Sequence, residues 1–77
     1  MTSFLVESYE PGSAVVAAIE ARARSAARGT QVRYRRAIYV PADEVCFHLL
    51  DGPSAAAVGE VVRRAGISPQ RILEVRP

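Results

Sequence analysis

The residues best suited to chemistry lie in one short stretch near the middle of the chain. Cys46 is the only cysteine and His48 the only histidine. They are two positions apart in residues 45–50, whose apolar and aromatic content predicts a β-strand. Side chains so spaced share one face of a strand, roughly 7 Å apart. A thiolate and an imidazole on one face could bind a divalent transition metal such as zinc.

A carboxylate from the first predicted strand would complete this group. In residues 3–9 the alternation places Glu7 on the face opposite Phe4. If the first and third strands are central neighbours, Glu7 shares the helix-free face of the sheet with Cys46 and His48. These three residues are therefore the predicted metal ligands, and an open coordination position or ligands from a second subunit would complete the site.

The same residues allow other interpretations. A carboxylate near an imidazole raises the pKa of the histidine, so Glu7 and His48 could form an acid–base pair of a small enzyme or enzyme accessory. A third hypothesis is an assembly or regulatory module that binds no ligand and uses this face for protein contacts. His48 as a structural histidine and Cys46 as a small buried apolar residue are the corresponding structural interpretations.

Four further side chains are predicted to border this group on the same face. Two are tyrosines near strand ends, one is an arginine of the second strand, and one is a carboxylate whose place depends on strand register. They are Tyr9, Tyr39, Arg35 and Glu74.

Turn and cap residues divide the chain into the order β-α-β-β-α-β. The predicted strands are residues 3–9, 31–40, 45–50 and 71–76, and the predicted helices are residues 13–28 and 54–65. Ser13 and Ser54 are the expected N-caps. Gly29 and Gly66 are expected to end the two helices, with Ile67 making the apolar contact after the second.

This element order predicts a single α+β domain over residues 1–77 with a ferredoxin-like fold. Right-handed crossovers favour an antiparallel sheet of order 4-1-3-2 with both helices on one face. Arg36 falls on the apolar face of its strand, which indicates a β-bulge or a strand edge near Arg35 and Arg36. The side chains expected beneath the helices are Phe4, Val6, Val45, Phe47 and Leu49.

Size and composition limit the class of protein. The 77 residues form a domain that would be marginally stable alone, which favours a homodimer. No transmembrane segment or signal peptide is expected, and a free cysteine fits the cytoplasm. The net charge of +2 disfavours nucleic acid binding, as does the third strand, which offers Cys46 and His48 on the open face in place of stacking aromatics.

Three segments carry a resemblance to a known family. They are residues 4–12, residues 32–54 and residues 65–72, and the Val-Pro-Ala-Asp-Glu-Val-Cys-Phe stretch followed by Pro-Ser is the most specific part. The chain resembles a family of small bacterial ferredoxin-like proteins, catalogued mainly as a domain of unknown function. Its best-described relative is a dimeric nickel-binding protein.

The resemblance implies the ferredoxin-like fold, a homodimer and a nickel-type ligand. That relative is rich in histidine, whereas this chain has His48 alone. A site made mainly of histidines therefore does not transfer. The resemblance is compatible with a mixed site of His48 with Glu7 or Cys46, assembled across a dimer.

Overall fold

The computed structural model describes residues 1–12 and 16–77 of the chain. The strands and helices follow in the predicted order. They are β1 (Thr2–Tyr9), α1 (Val16–Ala27), β2 (Arg33–Val40), β3 (Val45–Gly52), α2 (Ala55–Arg64) and β4 (Pro69–Val75). The predicted N-cap Ser13 lies outside the described residues.

The four strands form one antiparallel sheet in the order β2-β3-β1-β4. This is the predicted order read from the opposite edge, so the ferredoxin-like α+β fold is confirmed. Buried residues of both helices join side chains of the sheet in one core. The core members from the helices include Ile19, Ala23, Val58, Val61 and Val62.

Local signals explain where α2 begins and ends. The Ser54 hydroxyl accepts a hydrogen bond from the backbone N–H of Ala57 at 3.1 Å, as an N-cap does. At the other end, Gly66 has a φ of 82°, a left-handed conformation that glycine adopts without a steric penalty. The N–H of Ile67 donates to the carbonyl of Val62 at 2.9 Å, and Ile67 is buried. Both predicted caps of this helix are therefore confirmed.

A bulge, one of the two predicted explanations for the position of Arg36, is present in β2. The pairing of β2 with β3 shifts register between Tyr34 and Arg36, so Arg35 is the extra residue. Arg24 of α1 covers the outer edge of the bulge, because its Nη1 and Nη2 donate to the carbonyls of Tyr34 and Arg35 at 3.1 and 3.2 Å. Its Cζ also lies 5.2 Å from the centre of the Tyr34 ring.

The face assignment of β3 was wrong. Val6 is paired with His48, and directly paired residues of an antiparallel ladder point to the same face. Cys46, His48 and Leu50 are therefore buried beneath the helices. Phe47, expected in the core, lies on the far face with its two apolar neighbours Val45 and Leu49. Both faces of β3 are apolar, so alternation alone could not decide between them.

We call the sheet side away from the helices the open face. No described helix or strand packs on it. Its central and partly exposed residues are Leu5, Glu7, Tyr9, Ile38, Val45, Phe47, Leu49, Arg71 and Leu73. The bulge moves Ile38 onto this face opposite Phe47, and it places Tyr39 opposite the buried Cys46. The prediction that Tyr39 borders the open face was therefore wrong.

Candidate functional site

A buried polar arrangement lies in the core between the sheet and the helices. The Nε2 atom of His48 is 2.9 Å from the Ser8 hydroxyl, and its Nδ1 atom is 2.7 Å from the Tyr34 hydroxyl. Ser8 and His48 are fully buried, and Tyr34 is 5% exposed. Both ring nitrogens therefore have a hydroxyl partner that can donate or accept. Among the described residues, no buried side-chain nitrogen or oxygen lacks a partner.

Three strands position this buried triad of Ser8, His48 and Tyr34. Ser8 follows Phe4 and Val6 on the helix-facing side of β1, and His48 occupies the same side of β3. Tyr34 lies on the helix-facing side of β2, immediately before the bulge. The rings of Tyr34 and His48 have centres 5.8 Å apart and are tilted by 56°. The triad thus ties three neighbouring strands together through side chains.

Burial sets the charge state of this region. It lowers the pKa of His48 to about 4, so the imidazole is neutral near pH 7. Burial raises the pKa of the Cys46 thiol to about 11, with smaller contributions from Glu10 and Glu20, so Cys46 is a thiol rather than a thiolate. The pKa of Tyr34 is also raised above its usual range, mainly by burial. The residues are therefore neutral hydrogen-bonding or packing groups.

The open face carries a different chemistry. Glu7 accepts a hydrogen bond from Arg71 Nε at 3.0 Å, and the glutamate side chain is 25% exposed. The flanking residues on this face are apolar, including Leu5, Phe47 and Leu73. The Glu7–Arg71 ion pair therefore lies within a largely apolar part of the sheet surface.

The remaining predicted residues lie at the margins of the sheet. The Tyr9 hydroxyl donates to Glu44 Oε1 at 3.3 Å, and the Tyr39 hydroxyl donates to the backbone carbonyl of Glu10 at 2.8 Å. Both contacts join the end of β1 to the β2–β3 hairpin. Arg35 Nη1 lies 3.3 Å from Asp51 Oδ2.

The sequence model of the nickel responsive protein SCO4226-like family matches residues 4–75, from the first strand to the last. This chain belongs to the SCO4226-like family. It is also similar to the crystal structure of SCO4226 from Streptomyces coelicolor A3(2), with a TM-score of 0.85 and 26% sequence identity. The match covers 95% of this chain and 94% of SCO4226. No curated protein matches this chain.

In this SCO4226-like chain the predicted metal ligands do not meet. Glu7 is paired with Phe47 and lies on the open face, whereas Cys46 and His48 lie on the helix-facing side. Their placement on one face was wrong, because the register pairs Val6 with His48. Within residues 1–12 and 16–77, no group of three or more His, Cys, Asp and Glu side chains could hold a metal ion.

Glu74 does not join the open face either. It is paired with Phe4, which is buried beneath the helices, so Glu74 points to the helix-facing side at the exposed edge of β4. Its carboxylate lies 3.9 Å from Arg76. Of the four predicted bordering residues, Tyr9 is on the open face, and Arg35 reaches Asp51 at its margin.

Sequence reasoning missed Ser8 and Tyr34 as partners of the histidine. A signal was available for Ser8, since it follows Phe4 and Val6 in strict alternation and so must enter the core as a polar residue needing a partner. Tyr34 lies two positions after Val32, so alternation places both side chains on the same face of the strand.

In the part of the chain that the structure describes, no helix is long and apolar enough to cross a membrane.

Proposed function

We propose that this protein is a small nickel-responsive binding protein that works as a homodimer joined through the open face. The observation that carries the proposal is the apolar sheet surface, on which Ile38 and Leu73 remain 49% and 37% exposed. Contiguous apolar surface of this kind is typical of an interaction site. A domain of this size also gains from burying more apolar area.

The ion pair on the open face suits contact between two identical copies. An isologous interface brings the same surface of both subunits together, so it must complement itself. Glu7 and Arg71 supply both signs of charge on one surface, and the apolar residues around them can pack against their own copies. This favours a second copy of the chain as the occupant of the open face.

The nickel part of the proposal is based on the family to which the chain belongs. The nitrogen and sulfur donors of His48 and Cys46 are buried and neutral, and both His48 nitrogens are already hydrogen-bonded. Glu7 is the predicted ligand that stays accessible, and a face-to-face dimer can bring two Glu7 carboxylates near each other. Arg71, which is 61% exposed, would turn toward solvent when a cation binds. Carboxylates bind nickel less well than imidazoles do, so we expect weak uptake.

The oligomeric state is tested by light scattering during size-exclusion chromatography. Ile38→Glu and Leu73→Glu each place a charge on the open face and are expected to give a monomer, whereas the unsubstituted chain gives a dimer. Ala18→Glu is the matched control, because Ala18 is exposed on α1. A monomeric unsubstituted chain at all concentrations would contradict the dimer.

Metal binding is tested by native mass spectrometry with Ni²⁺, Zn²⁺, Co²⁺ and Cu²⁺. We expect uptake by the dimer that is lost in Glu7→Gln and retained in Glu60→Gln, a control carboxylate exposed on α2. His48→Gln should not change uptake. Loss of uptake in His48→Gln alone would place the metal in the core instead. A dimer that binds none of the four metals would contradict nickel binding and would favour the assembly module that binds no ligand.

The enzyme alternative has no support from the observed geometry. The acid–base pair required Glu7 beside His48, and these residues lie on opposite faces of the sheet. The neutral, buried imidazole also has no access to solvent. Catalysis by this pair is therefore not proposed.

A further inference from the structure

Arginine side chains converge on a cleft at the β2 edge of the sheet. The cleft has a volume of about 500 Å³, and Pro77 borders it. Its other lining residues are Arg24, Arg33, Tyr34, Arg35, Arg36 and Leu49. An adjoining depression shares Arg24, Arg33 and Tyr34 and adds Arg28. Neither cleft includes a residue of the triad other than Tyr34.

The bulge accounts for this concentration of charge. In a regular strand Arg35 and Arg36 would point to opposite faces. Here the register shift pairs Arg36 with Leu49 on the open face, and the extra residue Arg35 reaches Asp51 near the same margin. Arg33 is paired with Asp51. Three arginines of one strand therefore line a single cleft, and bulges are known to redirect side chains near binding sites.

The arginines of the cleft have different local partners. Arg24 is held by the carbonyls of Tyr34 and Arg35, with Glu20 3.7 Å away. Arg35 lies beside Asp51. Within the described residues, Arg33 and Arg36 form no ion pair and no side-chain hydrogen bond, so their guanidinium groups are available to a ligand.

The charge of the molecule is unevenly distributed. Five of the ten arginines line the cleft and its adjoining depression, where Glu20 and Asp51 are the two carboxylates that pair with them. The other five arginines share the rest of the chain with six carboxylates. The positive charge of this protein is thus centred on the cleft, which favours an anionic ligand there.

We propose that the cleft binds a small anion carrying two or three linked phosphate groups, with Arg33 and Arg36 as its main contacts. Guanidinium groups bind phosphate oxygens in pairs of parallel hydrogen bonds. Several arginines spread along an extended strand match a chain of phosphates better than a single one. Leu49 offers an apolar contact for an attached organic group. The cleft shares Leu49 with the open face, but neither Glu7 nor Arg71 of the nickel and dimer proposals lines it.

The test is calorimetric titration of the full chain with inorganic tripolyphosphate, pyrophosphate, phosphate and citrate, together with amide chemical shifts. We expect saturable binding of one tripolyphosphate per chain, with shifts centred on residues 33–36 and Leu49. Citrate carries carboxylate groups instead of phosphate groups and should bind more weakly than tripolyphosphate. Arg33→Gln and Arg36→Gln should each weaken binding roughly tenfold, the usual effect of losing one charge-assisted contact. Arg64→Gln, which removes an exposed charge from α2, should change affinity less than about twofold.

Three outcomes would overturn the proposal. One is the absence of saturable binding. The arginines would then serve to keep the edge strand β2 from pairing with strands of other chains. Another is equal weakening by Arg64→Gln, which would indicate nonspecific attraction. The third is tighter binding of a short single-stranded oligonucleotide with shifts that extend beyond the cleft, since that would indicate a nucleic acid surface.

Discussion

The Nδ1 atom of His48 lies 2.7 Å from the hydroxyl of Tyr34, in the core between the sheet and the helices. Together with the 2.9 Å contact between Nε2 and Ser8, this leaves the only histidine without a free nitrogen. The residue that sequence reasoning assigned to metal chemistry is thus a hydrogen-bonded member of the core.

Acid should destabilise the fold through His48. Its pKa is lowered to about 4 from the ordinary value of 6.5, so between these values the unfolded chain binds a proton that the folded chain does not. Stability is therefore retained above pH 6.5 and lost as the pH falls toward 4, by up to about 3 kcal/mol. Urea unfolding of the parent and of His48→Gln across pH 4–7 measures this.

The expected difference is a steeper loss of stability below pH 6.5 in the parent than in His48→Gln. Carboxylates titrate in both proteins, so the comparison isolates the histidine. Parallel curves for the two proteins between pH 5 and 6.5 would show that His48 is not buried in its neutral form.

Removing either hydroxyl from the triad should cost stability. Ser8→Ala and Tyr34→Phe each leave a buried His48 nitrogen without its partner, at a cost of about 1–3 kcal/mol. Tyr9→Phe is the matched control, because the Tyr9 hydroxyl makes only an exposed contact with Glu44. Its effect on the free energy of unfolding should stay within about 0.5 kcal/mol. Equal effects of Tyr34→Phe and Tyr9→Phe would contradict the buried network.

Cys46 should be unreactive in the folded protein. Burial raises its pKa to about 11 from 9.0, which leaves roughly a hundredfold less thiolate at pH 8, and the side chain is fully buried. We expect labelling by a disulfide reagent to be at least that much slower in buffer than in urea. The chain has one cysteine, so the signal is unambiguous. Fast labelling of the folded chain would argue for an accessible thiol.

Arg24 should stabilise the edge of the sheet beyond its charge. Its guanidinium bonds the carbonyls of Tyr34 and Arg35 at the bulge. Arg24→Gln is expected to lower the free energy of unfolding by roughly 1 kcal/mol, given the partial exposure of the contact. It should also increase aggregation, because the strand edge is uncovered. Arg28→Gln, with the same charge change just past the end of α1, should do neither.

Much of the fold followed from local sequence signals. Ser54, Gly66 and the Pro-Gly and Asp-Gly breaks set the element order, since each acts through its own backbone and its nearest neighbours. The placement of Arg36 on an apolar face indicated a bulge or a strand edge, and the structure shows a bulge within the edge strand β2. Once the order was known, chain connectivity restricted the sheet to the observed arrangement.

Only the tertiary structure decided which chemistry the site holds. Both faces of β3 are apolar, so no periodicity could tell whether Phe47 or His48 enters the core. The answer depends on pairing Val6 with His48, a contact between residues far apart in the chain. A shift of one residue would reverse every side chain of the strand. The sequence therefore determined the elements and their order, while long-range register buried Cys46 and His48, left Glu7 outside, and gathered the arginines at the edge.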